Sequence, residues 1–199
     1  MTDSRDGQTY KTVKIGSQTW MAENLNYKSG FCFDNDTSYC TKYGRLYTWA
    51  TAVGKSESEC GYDRPIGLTC SLPSGNIQGI CPNGWHLPSE AEWEALKDYV
   101  SAQPEYTCGG NTNNIAKSVA SESWWNSYNG GCNPGDQRDF PNNDTGFSAV
   151  PAGTLGVYGY DDAGYYANFW SATENSDYTA VAIYYTLDYD QNDFPAPTQ

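Results

Sequence analysis

The stretch Leu87-Pro88-Ser89-Glu90-Ala91-Glu92-Trp93-Glu94-Ala95-Leu96 contains the clearest helix start in this chain of 199 residues. Ser89 stands where a helix is capped, and Glu92 follows at the spacing of a capping box. Apolar residues then recur on one helix face, at Trp93, Leu96 and Val100. The sequence therefore predicts a helix over residues 89–101 that packs its apolar face against a core.

Shorter elements are predicted on both sides of this helix. The patterns predict a hairpin over residues 10–21 and short helices over 46–53 and 112–120. Residues 32–40 are predicted to form a polar surface loop, and Gly, Pro and Ser in residues 54–80 predict a long ordered loop. Short strands are predicted in the last third of the chain, at residues 147–150, 169–172 and 179–187.

The seven cysteines form three pairs of sequence neighbours and leave one residue over. Spacing favours the pairs Cys32–Cys40, Cys60–Cys70 and Cys108–Cys132, although six cysteines alone allow many connectivities. Cys81 is then unpaired, either as a free thiol or with a partner outside these residues. Short-range disulfides in a polar chain are typical of secreted or cell-surface proteins, so an extracytoplasmic location is predicted; the alternative is a cytosolic thiol protein.

The composition is acidic and aromatic. Asp and Glu number 24 against 11 Lys and Arg, and the formal net charge of −13 argues against nucleic acid and anionic membrane as partners. No apolar run is long enough for direct membrane insertion. Residues 1–5 lack the apolar part of a signal peptide, so the disulfide interpretation implies a mature fragment. Aromatic residues make up 15% of the chain and are expected to build much of the core.

Five blocks along the chain carry a family resemblance when they are taken together. They lie at residues 6–25, 43–49, 79–93, 146–153 and 169–174, and the third includes Gly79-Ile80-Cys81-Pro82-Asn83-Gly84-Trp85-His86-Leu87-Pro88-Ser89. In this order they resemble the Fibrobacter succinogenes major paralogous domain family over nearly the whole chain.

The resemblance implies a bacterial extracytoplasmic or surface-attached protein with a single domain over residues 1–199. It implies an α+β fold like that of C-type lectins and sulfatase-modifying enzymes. Such a fold would have two short-to-medium helices, small twisted antiparallel sheets and long loops held by disulfides. Family members close with a strand that bears a Gly-Phe-Ser-Val-Arg-Cys-Val-like motif. Residues 1–199 lack this motif, so the resemblance implies that the domain lacks its C-terminal strand and that Cys81 pairs with the cysteine of that strand. The alternative is a genuine shorter variant of the domain.

Catalytic chemistry finds little support in the residues. His86 is the single histidine, and its place at a helix entry favours a structural role over a Cys81–His86 dyad. The cysteine pair of the sulfatase-modifying enzymes has no counterpart after Cys132. Carboxylates for a glycosidase pair are abundant, so their presence identifies no site. The sequence predicts that the protein is not an enzyme, with an unrecognised hydrolase as the third-ranked function.

No cofactor is predicted, and calcium is left open. Zinc is disfavoured because there is one histidine and no Cys-x2-Cys motif. Residues 188–193 space their Asp and Asn oxygens like the start of an EF-hand loop, but the glycine and the closing glutamate of that motif are absent. Residues 34–36 and 142–144 offer further oxygens, and the alternative for all three segments is a polar turn.

A binding role is predicted from aromatic residues in loops rich in Gly and Asn, at residues 123–146 and 156–168. Exposed rings can stack on sugar rings, and rigid Tyr and Trp side chains also suit protein recognition. The candidate ligand-binding residues are Trp124, Trp125, Asn126, Tyr128, Tyr158, Tyr160, Tyr165 and Tyr166. Because the core also needs rings, at least one of Trp124 and Trp125 is expected to be buried. Five tryptophans are predicted to be core residues: Trp20, Trp49, Trp85, Trp93 and Trp170.

These features predict a non-catalytic binding module at the cell surface, with polysaccharide as its ligand and a role in adhesion. The second-ranked function is a structural or assembly module that binds a surface protein. Such binding would occur by strand addition at the sheet edge that an absent terminal strand leaves open. Nothing in the sequence predicts the oligomeric state.

Overall fold

The computed structural model describes residues 1–61, 69–136, 138, 141–156, 158–174 and 182–195. Within these ranges lie five α-helices: α1 (Thr37–Tyr43), α2 (Trp49–Ala52), α3 (Glu57–Cys60), α4 (Glu90–Ser101) and α5 (Ala116–Val119). Six strands accompany them: β1 (Thr12–Ile15), β2 (Gln18–Met21), β3 (Thr154–Gly156), β4 (Gly159–Asp161), β5 (Tyr166–Glu174) and β6 (Ala182–Asp188). The fold is therefore α+β, as the family resemblance implies.

Helix α4 carries the strongest local signal, and the helix predicted over residues 89–101 is confirmed. The Ser89 hydroxyl accepts a hydrogen bond from the Glu92 N–H, and the Glu92 carboxylate accepts one from the Ser89 N–H at 2.9 Å. These bonds satisfy two N–H groups at the helix start, and such a cap stabilises a helix by roughly 1 kcal/mol. The predicted apolar face is buried, at Trp93, Leu96 and Val100.

The six strands form three two-stranded antiparallel sheets. In the first sheet, Ile15 of β1 lies opposite Gln18 of β2 across a turn at Gly16, whose φ of +59° suits glycine. The predicted hairpin is therefore confirmed. In the last sheet, β5 pairs with β6. The strand predicted at residues 169–172 lies within β5. The strand predicted at 179–187 overlaps β6, and its first three residues lie outside the described residues.

The strand predicted at residues 147–150 is wrong. Ser148 has a φ of +60°, which interrupts the extended backbone that a strand requires. Ala149 keeps only an isolated parallel bridge to Ala120.

The resemblance implies two helices, whereas the described residues contain five, two of which lie in predicted loops. Helix α1 begins within the loop predicted at 32–40, where the Asp36 carboxylate accepts a hydrogen bond from the Ser38 N–H at 2.8 Å. Helix α3 lies within the loop predicted at 54–80 and begins at a capping box on Ser56. Both helices are too short to show an apolar period, so only their caps mark them in the sequence. The helices predicted at 46–53 and 112–120 are present in shorter form, as α2 and α5.

The core is built around Trp93 of α4. Five ring centroids lie 4.7 to 6.0 Å from that of Trp93, those of Trp20, Phe147, Phe169, Tyr185 and Phe194. Most of these rings meet tilted or edge to face, which is the favoured geometry for aromatic pairs. Large rings thus supply the apolar area that the few aliphatic residues cannot.

Three disulfides close short loops. They join Cys32 to Cys40, Cys60 to Cys70 and Cys108 to Cys132, and the thiol of Cys81 is free. Disulfides persist in oxidising compartments, so the pairs suggest an extracytoplasmic environment. Within the described ranges, no helix is both long and apolar enough to cross a membrane.

Candidate functional site

The predicted ligand-binding residues do not share one surface. Trp124 and Tyr160 lie at the two ends of an aromatic row on α1, whereas Tyr128 and Tyr165 lie together beside the end of β6. Trp125 is buried in the core, which meets the expectation that one of the two neighbouring tryptophans is inside. Trp125 therefore offers no face for stacking.

The aromatic row on α1 links five side chains. Successive ring centroids are 5.4 to 5.9 Å apart along the order Tyr160, Phe33, Tyr39, Tyr43, Trp124. Most of these rings pack against one another, so little of their surface is left for stacking on a ligand. The Tyr160 hydroxyl donates to Oδ1 of Asn35 at 2.8 Å.

Trp124 is the exposed end of this row, with 45% of its surface accessible. Its φ of +78° is unfavourable for a bulky residue. Its ring meets Tyr43 edge on, and the Lys42 ammonium lies 5.8 Å from the ring centroid. The surrounding contacts thus hold a strained backbone in place.

The second group, which we call the tyrosine surface, consists of Tyr128, Tyr165 and Tyr189. Tyr128 and Tyr165 are each 42% exposed. Both rings stand edge on to Tyr189, with centroids 5.5 and 5.0 Å from it. The rings of Tyr128 and Tyr165 are therefore both exposed to solvent while both pack against Tyr189. Tyr166 lies half-buried next to them in β5, and Tyr158 is fully exposed between β3 and β4.

Backbone hydrogen bonds hold the tyrosine surface together. The Gly135 N–H donates to the Tyr189 carbonyl at 2.8 Å, and the Tyr128 N–H donates to the Gly135 carbonyl at 3.0 Å. The Asn126 N–H donates to the Gly164 carbonyl at 2.8 Å. Gly135 must be glycine for this approach, because a Cβ there would lie 2.6 Å from the Asn126 carbonyl oxygen.

A cavity of about 270 Å³ is also formed by the segment that carries Tyr128. We call it the 125–138 pocket; it is lined by Trp125, Ser127, Asn129, Gly135, Asp136 and Arg138. Trp125 is 6% exposed, and no described residue accepts a hydrogen bond from its indole N–H.

Asp136 is the buried charge of this pocket. Its carboxylate accepts hydrogen bonds from the Gly131 N–H and from the N–H, Nε and Nη2 of Arg138. The Arg138 side chain, followed by the backbone donors, lowers the pKa of Asp136 well below its usual value. Asp136 therefore stays ionised at any physiological pH.

A larger cavity of about 1020 Å³, which we call the aromatic groove, lies between β2, α2, residues 80–88 and β5. The five tryptophans predicted to be core residues all line it. Trp20, Trp49 and Trp93 are buried, whereas Trp85 and Trp170 are half-buried in its walls. Three indole N–H groups of the groove already have carbonyl acceptors, on Ser171 for Trp49, Trp170 for Trp93 and Tyr47 for Trp170.

Cys81 and His86 also line the aromatic groove, but no hydrogen bond joins them in the part of the chain that is described. Nε2 of His86 lies 2.8 Å from a Glu92 carboxylate oxygen, and Nδ1 lies 3.4 Å from the Asn76 amide. Burial raises the pKa of the Cys81 thiol to about 11. A protonated thiol is a poor nucleophile, so this arrangement does not activate Cys81 at neutral pH.

In two of the three segments considered for calcium, residues 34–36 and 142–144, polar side chains make hydrogen bonds within the protein. Asp36 caps α1, the Asn142 amide donates to the carbonyls of Ser121 and Pro134, and the Asn143 amide donates to Ser148. Among the residues with described positions, no three His, Cys, Asp or Glu side chains form a group that could hold a metal ion.

The small sheets and three disulfides around α4 define a disulfide-linked α+β domain. The sequence model of the Fibrobacter succinogenes major domain matches residues 13–194, and the chain therefore belongs to that family. No curated protein and no solved structure matches the chain.

Sequence reasoning missed Tyr189 and the Asp136–Arg138 pair. Tyr189 stood among the acidic residues that follow β6, so no Gly- or Asn-rich loop marked it. The Asp-x-Arg spacing of residues 136–138 could have indicated the ion pair, which also forms at Asp3 and Arg5, but not that the pair lines a pocket.

Proposed function

We propose that this domain is a non-catalytic binding module that recognises carbohydrate at the tyrosine surface. The observation that carries the proposal is the pair of exposed rings, Tyr128 and Tyr165, that are both held edge on against Tyr189. Rigid, half-exposed rings offer contact area at a low cost in conformational entropy. Asp188 and Asp190 flank Tyr189 in the sequence, and their carboxylates are the candidate acceptors for sugar hydroxyls.

The location and the finer fold belong to the same proposal. Three disulfides support a secreted or surface-attached protein, where polysaccharides and surface proteins are the accessible ligands. Small sheets and long disulfide-closed loops around a capped helix are compatible with a C-type-lectin-like arrangement. An adhesion role would follow from binding a polymer at such a site.

A depletion assay tests the proposal. The protein is mixed with insoluble cellulose, xylan and chitin, with and without calcium, and the unbound fraction is measured. We expect saturable binding to one polymer and a loss of at least about tenfold in affinity in Tyr128→Ala and Tyr165→Ala. Tyr99→Ala is the matched control, because Tyr99 is similarly exposed on α4. Binding to no polymer, or equal losses in all three variants, would overturn the proposal.

A second candidate is a module that binds an extended protein segment by strand addition to β5. The Gly153 N–H donates to the Tyr166 carbonyl, and the Ala172 N–H donates to the Pro88 carbonyl, both at the open edge of β5. Asn168 directs its backbone groups to the same edge between these points, because alternate residues of a strand share an edge. No described backbone group pairs with it there, and the aromatic groove lies alongside.

Asn168→Pro separates this candidate from the first. Proline removes the N–H at the open edge and leaves the β5–β6 ladder in place. For a synthetic peptide of alternating Val and Thr, strand addition predicts that Asn168→Pro abolishes binding while Tyr128→Ala does not change it. Failure of the peptide to bind the unaltered protein would contradict the candidate.

A further inference from the structure

The chain contains two Asn-Gly pairs, Asn83-Gly84 and Asn129-Gly130. Asparagine is among the thermolabile residues of proteins. In an Asn-Gly pair the glycine has no Cβ to shield its backbone nitrogen, so this nitrogen can reach the carboxamide carbon of the asparagine before it. That attack is the first step of asparagine deamidation. In a folded protein it requires that the carboxamide and the backbone can turn towards each other, and the two pairs differ in this freedom.

The Asn83-Gly84 pair is held in a closed turn. The Trp85 N–H donates to the Pro82 carbonyl at 2.9 Å, so a backbone hydrogen bond spans the pair. Oδ1 of Asn83 accepts from Nε2 of Gln78 at 3.2 Å, which restrains the carboxamide as well. Both reacting groups are therefore restrained at Asn83.

The Asn129-Gly130 pair is less restrained. Both residues are exposed, and no described residue forms a hydrogen bond with the Asn129 side chain or with the Gly130 N–H. Asn129 also lines the 125–138 pocket, whose volume of about 270 Å³ leaves the side chain room to rotate. The carboxamide can thus turn towards the Gly130 nitrogen without losing a hydrogen bond to any described residue.

The residues on either side of this pair are fixed. The Tyr128 N–H donates to the Gly135 carbonyl at 3.0 Å, and the Gly131 N–H donates to Oδ2 of Asp136 at 2.8 Å. Gly130 also packs against the Tyr128 ring, because a Cβ on Gly130 would lie 2.9 Å from Cε1 of that ring. A change in the backbone at residue 129 would therefore act directly on one ring of the tyrosine surface.

We propose that Asn129 is a deamidation site and that its modification displaces the Tyr128 ring. The Gly130 nitrogen loses its proton to water and attacks the side-chain carbonyl carbon of Asn129. The C–N bond of the carboxamide then breaks, and the amide nitrogen takes up a proton from water and leaves as ammonia. The succinimide ring that results takes up one water molecule and opens to an aspartyl or an isoaspartyl residue.

The isoaspartyl product changes the backbone as well as the charge. It adds one methylene group to the main chain between Tyr128 and Gly131, whose N–H groups are both held by hydrogen bonds. The added length must displace one of these two residues, and the Tyr128 ring rests on the altered segment. The tyrosine surface therefore changes with the age of the protein.

Timed incubation followed by peptide mapping tests the modification site. The full chain with its disulfides intact is kept at about pH 8 and 37 °C, and deamidation at each asparagine is followed by mass spectrometry. We expect deamidation at Asn129 to be several-fold faster than at Asn83. Asn83 is the matched internal control, because it is also exposed and also precedes glycine. After reduction and unfolding in guanidinium chloride the two rates should become similar, since the contacts that restrain Asn83 are then lost.

A rate at Asn129 equal to or below that at Asn83 in the folded protein would overturn the assignment. The same difference in the unfolded chain would overturn its structural cause.

Hydrogen exchange tests the displacement of Tyr128 without any ligand. In the incubated wild type, the peptide that contains Tyr128 should exchange several-fold faster, because the hydrogen bond from its N–H to Gly135 is weakened. Asn129→Gln, incubated in the same way, should keep the original exchange rate. Unchanged exchange in a wild-type sample that contains the isoaspartyl product would overturn the displacement.

Discussion

Two turns of the molecule contain the same ion pair in different surroundings. Asp3 and Asp136 are both buried, and each carboxylate accepts from the backbone N–H, Nε and Nη2 of the arginine two residues later. The Nη2 distance is 2.6 Å in both turns. At the level of local chemistry the turns are equivalent.

The arginines differ in what else they contact. Nη1 of Arg5 donates to the Ile80 carbonyl at 2.7 Å, and its guanidinium lies 4.0 Å from the centroid of the Tyr27 ring. Arg5 thereby ties the N-terminal turn to the segment before Cys81. The Arg138 side chain is 60% exposed, against 25% for Arg5, and lines the 125–138 pocket. The Asp3–Arg5 pair thus connects the N-terminal turn to residue 80, whereas the Asp136–Arg138 pair lines the 125–138 pocket.

Removing either carboxylate should have the largest effect. Asp3→Ala and Asp136→Ala each leave backbone and guanidinium donors without their acceptor, so both should lower the melting temperature by several degrees. Only Asp136→Ala should also weaken glycan binding, by at least about tenfold. Thermal unfolding and depletion assays on both variants measure this, and equal binding losses would show that the effect is global.

Gly135→Ala should cause the next largest loss of stability, and it tests the packing next to Asp136 in the second turn. The new Cβ would lie 2.6 Å from the Asn126 carbonyl oxygen and 2.8 Å from that of Tyr189. Overpacking of this kind costs about 1–3 kcal/mol, and here it would also separate Tyr128 from Tyr189. Gly156→Ala is the control, because its Cβ would meet nothing within 4 Å. Urea unfolding should show a loss of stability in the first variant alone.

Two buried tryptophans, Trp49 at the aromatic groove and Trp125 at the 125–138 pocket, differ in whether their indole N–H has an acceptor. Trp49→Phe removes a made hydrogen bond to Ser171, whereas Trp125→Phe removes an N–H without an acceptor. Since both changes delete the same atoms, Trp49→Phe should be more destabilising by about 1–2 kcal/mol. Urea unfolding gives the difference. A larger loss in Trp125→Phe would mean that its N–H has a partner in the unliganded protein.

Acid should weaken both turns in the same way. The arginine partners lower the pKa values of Asp3 and Asp136 from the ordinary value of 3.8. A carboxylate whose pKa is lowered on folding adds stability that is fully present above its unfolded-state pKa and is lost as the pH falls from there through the folded-state pKa. The stability difference between the wild type and Asp136→Asn should therefore be constant from about pH 5 to 8 and shrink below about pH 4. A difference that shrinks already at pH 6 would contradict the assignment.

The smallest effect concerns Cys81. With a pKa of about 11, about one thiol in a thousand is ionised at pH 8, so alkylation by iodoacetamide should be slow. Asp3→Ala loosens the Arg5 tether on Ile80 and should speed alkylation several-fold, as followed by mass spectrometry. Asp136→Ala should leave the rate unchanged. Similar alkylation rates in Asp3→Ala and Asp136→Ala would show that the Arg5 contact with Ile80 does not protect Cys81.

Sequence reasoning reached the parts of the fold that local signals encode. The capping box at Ser89 and the turn at Gly16 predicted α4 and the first hairpin, because both depend on a few neighbouring residues. Helices α1 and α3 were missed since one or two turns of helix show no apolar period. The strand predicted at residues 147–150 does not form because Ser148 has a positive φ, and nothing in the sequence around Ser148 indicates that conformation.

The candidate site was predicted in its segments but not in its assembly. Tyr128 and Tyr165 were predicted to be ligand-binding residues, but their packing against Tyr189 depends on contacts between distant loops, which the sequence does not show. Trp124 and Trp125 look equivalent in the sequence, but in the fold Trp124 is exposed and Trp125 is buried. The role of Asp136 could not be read from its motif either, because Asp3 has the same motif and a different use.

The most direct test of the carbohydrate site is a calorimetric titration of the wild type and of Tyr128→Ala with an oligosaccharide of the polymer that the depletion assay selects. Tyr99→Ala is the matched control, because the Tyr99 ring is similarly exposed on α4. The account predicts a loss of at least about tenfold in affinity in Tyr128→Ala and an unchanged affinity in Tyr99→Ala. Equal affinities in all three proteins, or the same loss in both variants, would contradict it.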